Sequence, residues 1–223
     1  MFSRLLQAYV RAGAQRLAAA ASLVRFSPNA ITLAGLAVTI GAAVLIALGI
    51  LLPAGIVLLV AGSLDILDGA VARVSGRVHR YGAFLDSTAD RYGEGAVYVG
   101  LLYLFLVRQH QDVQVFLIVA SLLGSLLVSY VRARAQSLGF KCDGGWFARP
   151  ERVVVTALGL VLGQLTIVLW LLAAGTNLTA IQRIFSVWSQ HRAQLRSDDE
   201  GAEGEEGAAS LPAPKVRRRA APS

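Results

Sequence analysis

Between residues 31 and 188 the chain consists mostly of apolar runs, several of them long enough to cross a membrane. A helix that spans the hydrocarbon core of a bilayer needs about 20 apolar residues. The runs occupy residues 31–51, 54–72, 82–107, 113–135 and 150–188, and the last has room for two spans. We expect Pro53 to separate the first two helices and Gly163-Gln164 to divide the last run. The pattern predicts an all-α integral membrane protein with six transmembrane helices.

The positive charges of the chain are distributed unevenly about these spans. With six spans, both termini lie on the same side as the loops 73–81 and 136–149. Of the 21 lysines and arginines, Arg108 alone falls on the other side. The positive-inside rule therefore predicts a multi-pass protein of the cell membrane with this basic side in the cytoplasm. Anionic lipid accounts for the net charge of +7, so nucleic acid is not expected as a partner.

The two ends of the chain differ from its apolar middle. Residues 1–26 scatter arginines among leucines and alanines, which predicts an amphipathic helix lying in the membrane interface. Residues 191–223 hold an acidic block followed by a basic cluster, Lys215 to Arg219, and predict a disordered charged tail. Residues 27–190 then form the six-helix membrane domain.

Four aspartates, Asp65, Asp68, Asp86 and Asp90, fall within 26 residues of this apolar domain. A carboxylate near the bilayer centre costs about 2.5 kcal/mol even on lenient insertion scales, and four together repel one another. The spacings are i, i+3 and i, i+4, so each pair lies on one face of its own helix. Two antiparallel helices joined by a short loop would bring the two faces together.

Divalent metal is the simplest compensation for these charges. Carboxylate-rich oxygen sites suit Mg²⁺, Mn²⁺ or Ca²⁺, and a pair of such ions serves phosphoryl displacement. Gly69 and Gly82 leave room for a ligand beside the aspartates, and Arg73 is placed to hold a phosphate. Two alternatives are an ion pathway through the bilayer and a buried ion-pair network. The network would pair the aspartates with Arg73, Arg77, Arg80 and Arg91.

The complete pattern D-x-x-D-G-x-x-A-R-x8-G-x3-D-x3-D resembles the signature of the CDP-alcohol phosphotransferase family, and the similarity extends over about residues 28–188. The resemblance implies a six-helix enzyme, commonly a homodimer, that moves a substituted phosphate from a CDP-alcohol to an acceptor alcohol and releases CMP. It implies that Asp65, Asp68 and Asp86 bind two Mg²⁺ ions, for which Mn²⁺ may substitute, and that Asp90 is both a ligand and the general base. The implied CDP-lipid contacts are Pro28, Asn29, Ala30, Ile31, Gly69, Arg73 and His79.

The residues themselves agree with this chemistry. A hydroxyl attacks phosphorus poorly while it is protonated, and Asp90 lies at the far end of its helix face, where it is placed to take that proton. Serine, cysteine or histidine candidates for a covalent nucleophile do not stand out, so we expect a single in-line displacement.

Several arginines bear on the acceptor. Interfacial arginines often only anchor a helix at the membrane surface, but we expect Arg132, Arg152 and Arg183 together to form a pocket for a phosphorylated alcohol. These segments resemble the phosphatidylinositol-phosphate synthases of the family, which join CDP-diacylglycerol to inositol 1-phosphate. The matched positions are Ser129, Arg132, Arg134, Arg152 and Arg183, and the position of Arg132 is typically lysine there. Glycerol 3-phosphate is the main rival acceptor, and a transporter or an inactive scaffold is a distant alternative.

Overall fold

The computed structural model of the chain describes residues 27–74, 79–142 and 144–209, and of Pro28, 67–74 and 197–209 it describes the backbone alone. The predicted interfacial helix 1–26 and the end of the tail, 210–223, lie outside the described residues. The described part is built from helices and contains no strand. The helices are α1 (Pro28–Ala47), α2 (Leu51–Val74), α3 (Arg80–Leu102), α4 (Asp112–Ser137), α5 (Arg149–Leu162) and α6 (Leu165–Ala209), with a π-helical segment, Tyr103–Arg108, after α3.

Three helices in the described part are long and apolar enough to cross a membrane. These stretches are Asn29–Ala47, Asp112–Ser137 and Leu165–Arg196, and α2 adds a shorter apolar stretch, Leu51–Ile66. The 14 residues of α5 extend only about 21 Å, less than the roughly 30 Å of a hydrocarbon core. The all-helical class is therefore confirmed, its long apolar helices are those of a membrane protein by length and composition, and the count of six spans stays a prediction.

The ends of the helices follow local chain chemistry. The sequence predicts a break at Pro53, whereas the chain turns earlier, through Leu48-Gly49-Ile50, where Gly49 adopts a φ of +79°. Pro53 instead lies in the first turn of α2, where a missing N–H costs nothing. The break at Gly163-Gln164 is confirmed, because Gly163 ends α5 in the left-handed conformation with a φ of 67°.

The last helix is longer than the sequence predicts. A disordered tail is expected from residue 191, but α6 continues to Ala209. The added residues include four alanines and four glutamates, which have high helix propensity, and three glycines, which have low propensity. Extending an existing helix also avoids the cost of nucleating a new one. Residues 191–209 are therefore helical in the structure.

The helices pack around one apolar core. Helix α1 packs against α2 and α3, α4 packs against α6, and α5 packs against α2. The core includes Ala42, Ile46, Leu58, Val97, Leu101, Leu117, Leu160 and Leu169, all buried. Close approach of α1 and α3 depends on Gly100, because a Cβ there would overlap the backbone carbonyl oxygen of Ala43. Because α2 and α3 both pack against α1, their acidic residues Asp65, Asp86 and Asp90 come close to one another.

Replacing Gly100 by alanine is expected to lower the free energy of unfolding by about 1–3 kcal/mol, because α1 and α3 must separate to admit the methyl group. Thermal denaturation in one detergent measures the change. Gly95→Ala is the matched control on the same helix, since a Cβ there meets no described atom within 4 Å. The control should melt no earlier than the wild type. Equal melting of the two variants would contradict the close packing at Gly100.

Candidate active site

Three of the four aspartates lie together in the structure. One carboxylate oxygen from each of Asp65, Asp86 and Asp90 lies within 4.8 Å of the others. Asp65 comes from α2, and the other two lie one turn apart on α3. The side chains of Asp68 and Arg73 are outside the described part, and their backbone lies on α2. The three carboxylates therefore lie together as the spacing predicts, with α2 and α3 each packed against α1.

The donor set fits a divalent cation. The Oδ1 atom of Asp86 is buried and has no hydrogen-bond partner among the described residues. A buried carboxylate oxygen without a partner is costly unless a cation or a donor compensates it. Carboxylate oxygens are the ligands that Mg²⁺ and Mn²⁺ prefer. The three carboxylates could therefore hold such a cation, with the orphaned oxygen of Asp86 as one ligand.

Arg149 supplies a positive charge to this cluster, which the sequence did not predict. Its Nη1 atom lies 2.6 Å from Asp65 Oδ2 and 2.8 Å from Asp90 Oδ1. Arg149 is the first residue of α5, and Pro150 after it favours a helix start. Arg91 is more distant, with Nη2 3.6 Å from Asp90 Oδ2. The aspartates thus meet an arginine from α5, whereas the ion-pair alternative named Arg73 on α2, Arg77 after it, and Arg80 and Arg91 on α3.

A second ion pair fixes α5 against α3. Arg152 contacts Glu94 through both ends of its guanidinium, Nε to Oε1 at 2.6 Å and Nη2 to Oε2 at 3.1 Å. Its Nη1 atom donates to the carbonyl oxygen of Phe147 at 2.9 Å. The Arg152 side chain is only 3% exposed. Glu94 was not singled out from the sequence, although it follows Asp90 by four residues on the same helix face.

A cavity of about 310 Å³ opens beside Asp90. Its lining includes the hydroxyl-bearing Ser129 and the cationic side chains of Arg91, Arg132, Arg149, Arg152 and Arg183. Four of the five residues proposed for the acceptor phosphate are therefore close to the acidic cluster. Arg134 is exposed on α4 and is not among the lining residues.

Arg183 has structural partners as well as a place in this cavity. Its Nε donates to the carbonyl oxygen of Gly144 at 2.9 Å, and its Nη1 donates to that of Val128 at 2.6 Å. The side chain is buried and links α6 to α4 and to the loop before α5. Like Arg152, it holds the walls of the cavity together through hydrogen bonds within the protein.

The N-terminal part of α1 approaches the aspartates from the other side. Ile31 and Thr32 line a small cavity together with Asp65, Asp90 and Arg149. The structure describes the side chains of some of the other positions proposed for the CDP-lipid and only the backbone of others. Asn29 lies beside Gly82, because a Cβ placed on Gly82 would be 3.2 Å from the Oδ1 atom of Asn29. Ala30 and His79 are exposed. For Pro28 and Gly69 only the backbone is described.

Comparison with known proteins agrees with this arrangement. A family model described as CDP-alcohol phosphatidyltransferase matches residues 25–188. Among curated proteins, the phosphatidylinositol phosphate synthase of Mycolicibacterium smegmatis is 36% identical over 190 residues, which covers 81% of this chain and 85% of that protein.

Solved structures of the Mycobacterium tuberculosis phosphatidylinositol phosphate synthase have a similar fold. The one with CDP-DAG bound has a TM-score of 0.73 and 32% identity, and the match covers 78% of this chain and 93% of that one. The complex with manganese and citrate also has a TM-score of 0.73 at 32% identity, covering 78% of this chain and 88% of that one.

Proposed function

The chain belongs to the CDP-alcohol phosphatidyltransferase family, and we propose that it transfers the phosphatidyl group of CDP-diacylglycerol to a hydroxyl of inositol 1-phosphate and releases CMP. The observation that supports this proposal most directly is that the acidic cluster and the arginine-lined cavity share one residue, Asp90. The carboxylate of Asp90 belongs to the acidic cluster and also borders the cavity lined by arginines. A metal-assisted displacement and a site for a phosphorylated acceptor are thus adjacent.

We propose that the acidic cluster binds the metal ions of the reaction. Asp65, Asp86 and Asp90 would hold them, joined by Asp68 as the family resemblance implies. Mg²⁺ is the expected ion, and Mn²⁺ also fits, since a relative was solved in complex with manganese. When bound, two such ions supply charge that neutralises a diphosphate and stabilises departing CMP.

The CDP-lipid would bind on the α1 side of the cluster. Relatives of this chain include a protein solved with CDP-DAG bound. Ile31 borders the small cavity next to Asp65 and Asp90, and Asn29 lies near the start of α3. The donor would thus contact the positions Pro28 to Ile31 that the resemblance implies, together with Gly69, Arg73 and His79.

The acceptor would bind in the larger cavity on the other side of Asp90. Arginine pairs with phosphate through two parallel hydrogen bonds, and several arginines line this cavity. A phosphate monoester matches that charge better than an uncharged alcohol. The relatives named phosphatidylinositol phosphate synthase favour inositol 1-phosphate over glycerol 3-phosphate. We assign Ser129, Arg132, Arg152 and Arg183 to this site, with Arg134 near its edge on α4.

In the reaction, Asp90 would accept the proton of the attacking hydroxyl. The acceptor oxygen forms a bond to the phosphorus of the phosphatidyl group, and the bond from that phosphorus to the CMP oxygen breaks. Asp90 is suited to this role because it borders both the donor-side and the acceptor-side cavities. A general base of this kind contributes about 10²–10⁴-fold to a rate.

We also propose the orientation and assembly that the sequence predicts. The protein would be a multi-pass protein of the cell membrane, with six spans and a homodimeric assembly. The active site and both termini would face the cytoplasm, because the basic loops lie on that side.

The acceptor is tested by supplying membranes that contain the full chain with CDP-diacylglycerol, Mg²⁺ and a panel of alcohols, and measuring CMP and the lipid product. Inositol 1-phosphate is expected to give the highest kcat/KM, with free inositol lower by about 10²-fold or more because it lacks the phosphate group that would pair with the arginines. A higher kcat/KM with glycerol 3-phosphate would make that compound the acceptor and leave the proposed reaction type unchanged. Free inositol outperforming both would contradict the phosphate site, and a lack of CMP with every acceptor would contradict the activity.

A further inference from the structure

Arg149 contacts the same carboxylates that are assigned to metal. Its Nη1 atom is within hydrogen-bonding distance of both Asp65 Oδ2 and Asp90 Oδ1, at 2.6 Å and 2.8 Å. A guanidinium nitrogen and a divalent cation compete for the lone pairs of these carboxylates. Both are also positive, so each weakens the binding of the other. Binding of a cation at Asp65 and Asp90 therefore strengthens when Arg149 moves away from them.

The contacts of Arg149 leave it freer to move than Arg152. Both carboxylate contacts are made by one nitrogen, Nη1, and the Nε atom is buried without a hydrogen-bond partner among the described residues. Arg152, one turn further along α5, instead binds through Nε, Nη1 and Nη2 and is 3% exposed. Arg149 is 23% exposed. The structure thus distinguishes a fixed arginine from one with unused donors.

The surroundings show where Arg149 would go. Its side chain lines the small cavity on the α1 side and also the 310 Å³ cavity with Arg132 and Arg183. A turn away from the carboxylates toward the larger cavity would bring its guanidinium among the cations there. Without an anion that position is unfavourable, because the positive charges repel one another. A bound phosphate makes it favourable, because its negative charge attracts the guanidinium.

We propose that Arg149 is a displaceable positioning residue that pairs with Asp65 and Asp90 and, as divalent cations bind there, turns into the larger cavity to bind the phosphate of the acceptor. The identity of that phosphate as the acceptor's depends on the proposed function. The exchange couples the two sites: a phosphate that holds Arg149 removes a competitor from the carboxylates and so strengthens cation binding. By linkage, bound cations strengthen phosphate binding by the same factor.

The test measures binding of Mn²⁺ to the full chain in detergent, from the free Mn²⁺ signal in electron paramagnetic resonance, without donor or turnover. Arg149→Gln is expected to lower the Kd for Mn²⁺ roughly tenfold, since a charge-assisted competitor is removed. Arg91→Gln is the matched control, because Arg91 carries the same charge but lies further from Asp90, at 3.6 Å against 2.8 Å for Arg149. Its effect should be smaller. An unchanged or higher Kd in Arg149→Gln overturns the proposal.

The coupling is measured on the same samples. Inositol 1-phosphate should lower the Kd for Mn²⁺ about fivefold or more in the wild type and leave it unchanged in Arg149→Gln. Should that variant fail to fold, the wild-type titration alone decides, since absence of coupling there overturns the proposal. CDP should lower the Kd for Mn²⁺ in both proteins. If the variant lost only the effect of CDP, Arg149 would bind a phosphate of the donor instead, and the proposal would be overturned. Inorganic phosphate is a second probe. If it lowers the Kd for Mn²⁺ while inositol 1-phosphate gives no lipid product, the proposed acceptor is contradicted and the role of Arg149 in binding a phosphate is supported.

Discussion

Asp90→Asn is expected to lower the rate of CMP release by roughly 10³-fold, with the protein still folded and able to bind the CDP-lipid. Asparagine has the shape of aspartate but cannot accept the proton of an attacking hydroxyl. The carboxylate lies where the acidic cluster meets the arginine-lined cavity, so both substrates would be within its reach. Single-turnover formation of CMP, with CDP-diacylglycerol and inositol 1-phosphate supplied together, measures the effect.

Two controls separate the role of Asp90 as base from its role as a ligand. Asp112→Asn removes an exposed carboxylate in the first turn of α4, away from the cluster, and should leave turnover unchanged. The Kd for Mn²⁺ of Asp90→Asn gives the second comparison. Raising Mn²⁺ to saturation should restore metal occupancy and leave the rate low. Normal turnover by Asp90→Asn at saturating metal would rule out its assignment as the general base.

Arg152→Ala is expected to lower the free energy of unfolding by about 3 kcal/mol, because it leaves the largely buried Glu94 with only the longer ion pair to Arg91, at 4.0 Å. The structure therefore adds a stability effect to the role of Arg152 in the acceptor site. Denaturation in detergent, followed by helix content, measures it. The acceptor KM should rise as well, since the cavity loses a positive charge and the ion pair that links α3 to α5.

The exposed Arg132, in the same cavity, provides the matched control for Arg152. Arg132→Ala should raise the acceptor KM with a change in stability of at most about 0.5 kcal/mol. The double variant Glu94→Ala with Arg152→Ala should be less destabilised than the sum of the single variants, since no unpaired charge is buried. Additive effects in that cycle would show that the pair is not coupled.

The acidic side of the site was predictable because it depends on helix periodicity. Residues three or four apart on a helix share a face wherever the helix lies, so the spacing of the aspartates predicted two facing pairs. The same rule applied to Glu94, four residues after Asp90, would have extended that face and indicated a partner for an arginine. The helix ends were less predictable: Pro53 suits a first turn as well as a break, and only the turn at Gly49 shows which applies.

The sequence by itself determined that this is an all-helical membrane protein of a phosphatidyltransferase family, with carboxylates suited to divalent metal. Only the tertiary structure decided which cation meets which carboxylate. Asp65 pairs with Arg149 across 84 residues, and Glu94 pairs with Arg152 across 58. Such pairs depend on how α5 packs against α2 and how α3 packs against α1, and no local periodicity encodes that packing. Arg149 and Arg152 are one turn apart on the same helix, yet their different neighbours leave one displaceable and hold the other in place.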